Sequence, residues 1–415
     1  MNKMKKSILM VIVLVVSVVV VAQEPAEVRK IVRLIADDVV ADTEYGIIDI
    51  KSKKVYDTSV GLDYSPNLKV LSRYTDWRYW NGVLNIAMNR LGEHYEVEEY
   101  KNFAKNNVDF VMANYKLFEE NFHTSTLPWW QFPFAQFYRL KELDDCGVMG
   151  ASVIEVYMNN KEKKYKEYID RAENHIMNLQ DRLDDQTYSR TWPYEMTVWG
   201  DDLFMSIAFL SRMGKLTGDT KYFDEAAKQV FNFEQYLWDD NAGLYWHCWF
   251  NDVKQNGVAH WGRANGWMMV AKVELLSNLP DSYPQKDALI KNLVKQIIGI
   301  SRYQGENGLC HQILDKSDSY FETSCSAMFV YSIARAINRG WLDKRYSSVV
   351  RVGWQGIAGK INSLGKVEGI CAGTGIENDL RFYYQRPTPL NDIHGLGAII
   401  MAGLEVEKLL DEENN

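Results

Sequence analysis

Dense runs of lysine and arginine are absent from this sequence, and with them the electrostatic footprint that nucleic-acid binding requires. The formal net charge is −8, so nucleic acid is not an expected partner. The five cysteines, Cys146, Cys248, Cys310, Cys325 and Cys371, are scattered and odd in number, without the paired spacing of a zinc site or a disulfide framework. They read mostly as small buried apolar residues, with room for one disulfide whose pairing the sequence does not assign. No two histidines, and no His and Cys, fall at ligand spacing on a helix or turn, so no metal is expected. Missing too are a Gly-rich phosphate loop, a Gly-x-Ser-x-Gly elbow and a Cys–His signature, which leaves phosphoryl transfer and serine or cysteine hydrolysis without support. Strand patterns are scarce, and no Pro/Gly/Ser-rich linker divides the chain.

The N-terminus stands apart from the rest. Lys3, Lys5 and Lys6 precede a run from Ile8 to Val21 that is apolar except for Ser17, and Ala22-Gln23 follows. That is the order of a secretory signal peptide, so residues 1–22 are expected to be removed and 23–415 to form a single domain. The apolar run of 14 residues falls short of the roughly 20 that a spanning helix needs. No cysteine near the cleavage point offers a lipid-anchor thiol, and the mature chain is expected to be periplasmic or secreted, with no membrane partner.

Aromatic rings are abundant, at 13 Trp, 24 Tyr and 16 Phe. Such rings fill cores, and they also line sites whose ligand has one apolar and one polar side, as a sugar does. Amphipathic helical patterns recur along the chain, at 82–91, 95–115, 147–159, 161–179, 203–215, 221–237, 266–276, 286–302, 325–339 and 395–410. Longer aromatic-rich loops separate them at 123–133, 188–200, 245–265 and 377–394. About a dozen helices without a linker predict an all-α fold in which helical hairpins close into an (α/α) barrel. Its long loops should gather at one end, where function is carried.

Two carboxylate doublets stand at helix starts. Asp201 and Asp202 lie between an aromatic loop and an apolar helix in Trp199-Gly200-Asp201-Asp202-Leu203-Phe204-Met205. The helix dipole favours acids there, so one reading makes Asp201 a cap and Asp202 a first-turn acid. In the other reading one cap suffices, while Trp192, Tyr194 and Trp199 partly desolvate the second carboxylate and raise its pKa towards acid/base use. Asp144 and Asp145 open another helix in the same way. Carboxyl groups on two helix ends can face one cavity, the minimal apparatus for acid/base work on a glycosidic substrate; two ordinary caps are the alternative.

Downstream loops carry His247, His260, Trp261, Arg263 and Trp267. Arg263 offers a fork of donors that matches a carboxylate, the tryptophans offer stacking faces, and either histidine could bond a sugar hydroxyl. Near the C-terminus, Asn391 or Asp392 should cap the last helix. Gly395 and Gly397 in its first turn cost about 1 kcal/mol each relative to Ala, which calls for close packing or ligand approach.

Together these segments resemble the unsaturated rhamnogalacturonyl and glucuronyl hydrolases of glycoside hydrolase family 105, related to family 88. The resemblance covers most of the chain after residue 22. It rests on Trp80-Asn81-Gly82-Val83, on Asp144-Asp145 leading to Gly150, and on Trp199 to Met205. Tyr245 to His247, Trp261 to Trp267, Phe321-Glu322-Thr323-Ser324 and Asn391 to Gly397 complete it. It implies an (α/α)6 barrel that needs no metal or organic cofactor and takes an oligosaccharide ending in a 4,5-unsaturated uronic acid. In that chemistry an Asp protonates C4 and helps water add at C5. The resemblance assigns this role to Asp201, and a second carboxylate to Asp144 or Asp145. Trp80, Asn81, Trp199, His247, Trp261, Arg263, Trp267 and His394 match positions at the sugar, with Arg263 as partner for its carboxylate. Arg190 stands where many relatives carry a His and is expected to supply that contact; Ala264 replaces a usual Gly. Two other functions fit less of the pattern. A sugar epimerase or saturated-glycoside hydrolase would need different ring chemistry, and a periplasmic carbohydrate-binding protein would not depend on Asp201.

Overall fold

Twelve helices of 12 residues or more organise residues 24–414, the part of the chain that this computed structural model describes. The expected signal peptide, 1–22, lies outside the described residues. In chain order the helices are α1 (Pro25–Ala41), α2 (Tyr79–Tyr95), α3 (Glu98–Asn114), α4 (Leu143–Asn159), α5 (Lys163–Asn174) and α6 (Gly200–Thr217). They continue with α7 (Lys221–Leu237), α8 (Gly262–Asn278), α9 (Lys286–Ser301), α10 (Thr323–Asn338), α11 (Ser347–Ala358) and α12 (Ile393–Asn414). The even-numbered helices form a closed inner ring, each packed on the next and α12 back on α2. The odd-numbered helices cover the ring from outside, with α1 laid on α12. This is the expected all-α (α/α)6 barrel.

Burial follows from position in the two layers. α8 is buried at every residue over 262–276, as a helix surrounded by others must be, whereas α7 buries one stripe through Phe223, Ala226, Ala227, Val230 and Phe233. Glycine permits the closest approaches in the ring. A Cβ on Gly147 of α4 would lie 1.7 Å from the Met205 carbonyl oxygen of α6, and one on Gly397 of α12 would lie 2.8 Å from Val83 of α2. Close packing therefore explains Gly397 in a first turn.

Long connections lead into the inner helices and short turns lead out of them. The segments 42–78, 115–142, 175–199, 238–261, 302–322 and 359–392 thus collect at the N-terminal end of the ring. The joint between α6 and α7 is a tight exit: Gly218 takes φ 73°, and the Asp219 carboxylate accepts the Lys221 N–H at 3.0 Å. The strands present are short stitches within the long connections. Thr197–Trp199 pairs antiparallel with Cys248–Phe250, and the Gly200 N–H donates to the His247 carbonyl at 2.9 Å. That ladder brings the start of α6 beside His247.

Every inner helix begins two to four residues earlier than its apolar periodicity indicates. Their first turns carry polar side chains and glycines, which interrupt the pattern without interrupting the helix. α1 and α11 were not anticipated, although Val28, Val32, Ile35 and Val39 of α1 are spaced to bury one face. All five cysteines are buried free thiols, so none of them forms a disulfide. Among the described residues no helix is long and apolar enough to cross a membrane.

Candidate active site

The first turns of the inner helices face the long connections, and the two carboxylate doublets meet there with distinct partners. The N-cap of α6 is Trp199, without a side-chain cap bond, so neither Asp201 nor Asp202 is a cap. Asp202 is fully buried and receives both Nε (2.8 Å) and Nη2 (2.7 Å) of Arg190. Asp144 accepts the remaining Arg190 donors at 2.9 and 3.2 Å. Asp145 turns the other way. It accepts the N–H groups of Lys141 (2.8 Å) and Glu142 (3.0 Å) in a capping box and lies 3.2 Å from Arg139. The cap reading therefore holds for Asp145 and fails for Asp144 and Asp201, while Asp202 does stand in the first turn of α6.

Asp201 has a different neighbour. Its Oδ2 lies 3.1 Å from Nε2 of His247, whose Nδ1 lies 2.9 Å from the Tyr383 hydroxyl. His247 is fully buried, while the Asp201 side chain keeps 13% of its surface exposed. Arg190 also lies with its guanidinium carbon 4.2 Å from the centre of the Trp199 ring, so this cation is held by a ring face as well as by two carboxylates.

Three carboxylates and one guanidinium in a small volume make the ionisation of the most enclosed acid costly. Burial pushes the Asp202 carboxyl up to about 6, Arg190 opposes the rise, and the charges of Asp144 and Asp201 add to it. The Tyr79 hydroxyl is driven well above its ordinary range by burial, and it feels the charges of Arg263, Asp144, Asp201 and Asp392. Tyr79 thus belongs to the cluster, although its position in an apolar-aromatic run gave no sign of it. Tyr383 is a second addition; its partner His247 is 136 residues away in the chain.

The expected sugar contacts divide into groups. Trp199, Trp261 and Trp267 are buried, and each packs on a neighbour: Trp267 stacks on Phe204 at 4.8 Å, and Trp261 lies 4.6 Å from the His247 ring. Arg263, also buried, directs Nη1 and Nη2 to the carbonyls of Cys371 and Ala372. Its fork thus fixes the backbone at 371–372 instead of standing free for a carboxylate. Asn81 bonds the Arg73 carbonyl at 3.0 Å and serves the connection behind α2. Trp80 is half-buried, with its ring 4.6 Å from that of His394. His394 bonds Asp392 through Nδ1, and its buried Nε2 has no hydrogen-bond partner among the described residues. The Asp392 carboxylate also accepts the His394 N–H at 3.0 Å, as expected of a cap. His260 stacks on Trp246 and sits 3.3 Å from both Asp239 and Asp315, apart from the Asp201 cluster.

A family profile described as Glycosyl Hydrolase Family 88 matches residues 52–410, through all of the ring except the final residues of α12. The chain belongs to this family. Unsaturated rhamnogalacturonyl hydrolase YesR of Bacillus subtilis is 32% identical over 202 residues, which cover 48% of this chain and 56% of that protein. Unsaturated 3S-rhamnoglycuronyl hydrolase of Alteromonas sp. is 29% identical over 218 residues, 50% of either chain. The matched part thus spans about half the length of these relatives. The crystal structure of a possible member of family 105 from Salmonella enterica superposes with a TM-score of 0.74, covering 94% of this chain and 95% of that one at 22% identity. It shares the fold of this family 88 chain.

Proposed function

We propose that this family 88 chain removes a terminal 4,5-unsaturated uronic acid from lyase-generated oligosaccharides by hydrating the C4=C5 double bond. The observation that carries the reading is the division of the doublets: Asp144, Asp145 and Asp202 each engage an arginine, whereas Asp201 faces a histidine and keeps 13% of its side chain exposed. The names of the B. subtilis and Alteromonas relatives, both hydrolases of unsaturated uronides, point to the same chemistry.

Asp201 is the general acid and base in this proposal. As an acid it gives a proton to C4, and as a carboxylate it takes one from the water that bonds to C5. The resulting C5 hemiketal opens to a ketone, and the hemiacetal left at C1 expels the next sugar as an alcohol. His247 orients the Asp201 carboxylate, and Arg190 holds Asp144 and Asp202 in place beside it. In this reading Trp80 and Nε2 of His394 meet the sugar ring, while Arg263 shapes the 371–372 backbone around it. A signal peptide at 1–22 would deliver the enzyme to the periplasm or outside the cell, where lyase products arise.

The test is loss of the ultraviolet absorbance of the conjugated alkene on adding the protein to pectin-, ulvan- or glycosaminoglycan-derived lyase products. Loss with wild type and not with Asp201→Asn is the expected result. No loss on any of the three would shift the reading to an epimerase or a carbohydrate-binding protein.

A further inference from the structure

A cavity lies at the end of the ring opposite the Asp201 cluster, where the inner helices finish. Its volume is about 480 Å³, and all six inner helices contribute to its wall. Arg90, Arg212, Lys215, Arg335, Arg339 and Lys408 face it, against Glu93, Glu155 and Glu405, with Glu274 bonded to Arg90 and Arg212 as a fourth acid. This local excess of positive charge contrasts with the net negative charge of the chain.

Cations near helix C-termini are expected, because the backbone carbonyls there carry partial negative charge. The inner arginines already have carboxylate partners: Arg90 meets Glu274 at 2.7 Å, Arg212 meets Glu155 at 2.8 Å, and Arg335 meets Glu405 at 2.8 Å. Lys215 and Arg339 differ. They stand exposed at the rim, and among the described residues neither charged group has a hydrogen-bond or ion-pair partner. Between the charges the wall carries amide groups from Asn89, Asn159 and Asn278, and apolar surface from Met158, Met401 and Leu404.

From this combination we infer that the far cavity binds a small carboxylated sugar, of the size of a uronate disaccharide. Lys215 and Arg339 take the carboxylates, amide side chains take the hydroxyls, and the methionine and leucine surface takes the apolar face of the ring. The site is separate from the Asp201 cluster and does not depend on the hydration chemistry proposed there.

The probe is saturated digalacturonate, which has no double bond to hydrate. Its binding is followed by titration calorimetry in wild type and in a Lys215→Glu/Arg339→Glu double variant, whose exposed changes leave the ring packing intact. Two binding events in wild type are expected. The double variant should weaken one of them by roughly tenfold or more, since the charge-assisted hydrogen bonds to both carboxylates are lost. Turnover of an unsaturated substrate by that variant should be unchanged. Unaltered binding in the double variant would overturn the assignment, as would equal binding by a neutral disaccharide or by inorganic sulfate. Absent turnover in wild type would instead count against the Asp201 reading and leave this titration to be judged alone.

Discussion

Oδ2 of Asp201 lies 3.1 Å from Nε2 of His247, closer to a histidine than any other carboxylate of the two doublets. The contact follows from the strand pair that ends at Trp199 and Cys248, whose last backbone bond joins Gly200 to His247. A backbone ladder thereby sets the position of the acid proposed to do the chemistry. Asp201→Asn should retain fold and substrate binding while kcat falls roughly 10²–10⁴-fold, the usual worth of a positioned acid or base. Absorbance kinetics on lyase products check the rate, and circular dichroism checks the fold.

The Tyr383 hydroxyl accepts the Glu377 N–H at 3.3 Å, so its own proton is free to go to His247 Nδ1. In the tautomer that carries its proton on Nε2, His247 donates to Asp201 and accepts the Tyr383 hydroxyl proton on Nδ1. Tyr383→Phe removes the selection of this tautomer. The expected outcome is a kcat lower by roughly three- to tenfold, in line with one hydrogen bond of about 1 kcal/mol, with KM little altered. A changed pH profile of kcat separates this positioning role from simple loss of packing.

Arg190 pairs with both Asp144 and Asp202. Arg190→Ala leaves Asp202 buried and uncompensated, and breaking such a pair costs about 3–5 kcal/mol. Urea unfolding at neutral pH should show a lower midpoint for this variant. Adding Asp202→Asn to it should recover a large part of the loss.

The Asp202 carboxyl also gives stability a pH dependence of known sign. Its folded-state value, about 6, lies above the ordinary 3.8. The folded chain therefore holds this proton more firmly than the unfolded chain does. The group's contribution is fully present below the ordinary value and is lost as pH rises through about 6. Asp202→Asn should remove that component, which unfolding curves across this window, compared with wild type, would reveal.

Gly147→Ala would press a methyl group into the Met205 carbonyl, 1.7 Å from where the added carbon would sit. Backbone cannot yield as a flexible side chain does, so α4 and α6 must separate. A destabilisation of about 1–3 kcal/mol or more is expected from such overpacking, read as a fall in melting temperature.

How much of this could be read in the residues varies by element. The barrel was legible because helix after helix carries an apolar stripe and no linker intervenes. The starts of the inner helices were not, since Asp201, Arg263 and Gly395 interrupt the stripe while remaining helical. The doublets announced themselves as acids at helix ends. Their separate duties did not, because these depend on Arg190, 46 residues from Asp144, and on Arg139, whose guanidinium reaches Asp145 only once the capping turn has formed. Tyr79 and Tyr383 were hidden for the same reason: a tyrosine in an aromatic run looks like core until the partner facing it is known.

Ring closure joins α12 to α2, segments more than 300 positions apart, and α1 then lies over the seam, with Arg29 meeting Glu407. A nascent chain must therefore wait for its final long helix before the exposed flank of α2 is covered, and contacts this distant form slowly. His394 and Tyr383 arrive with that last portion. During synthesis, then, the first appearance of turnover would coincide with completion of the ring, making activity itself a clock for folding.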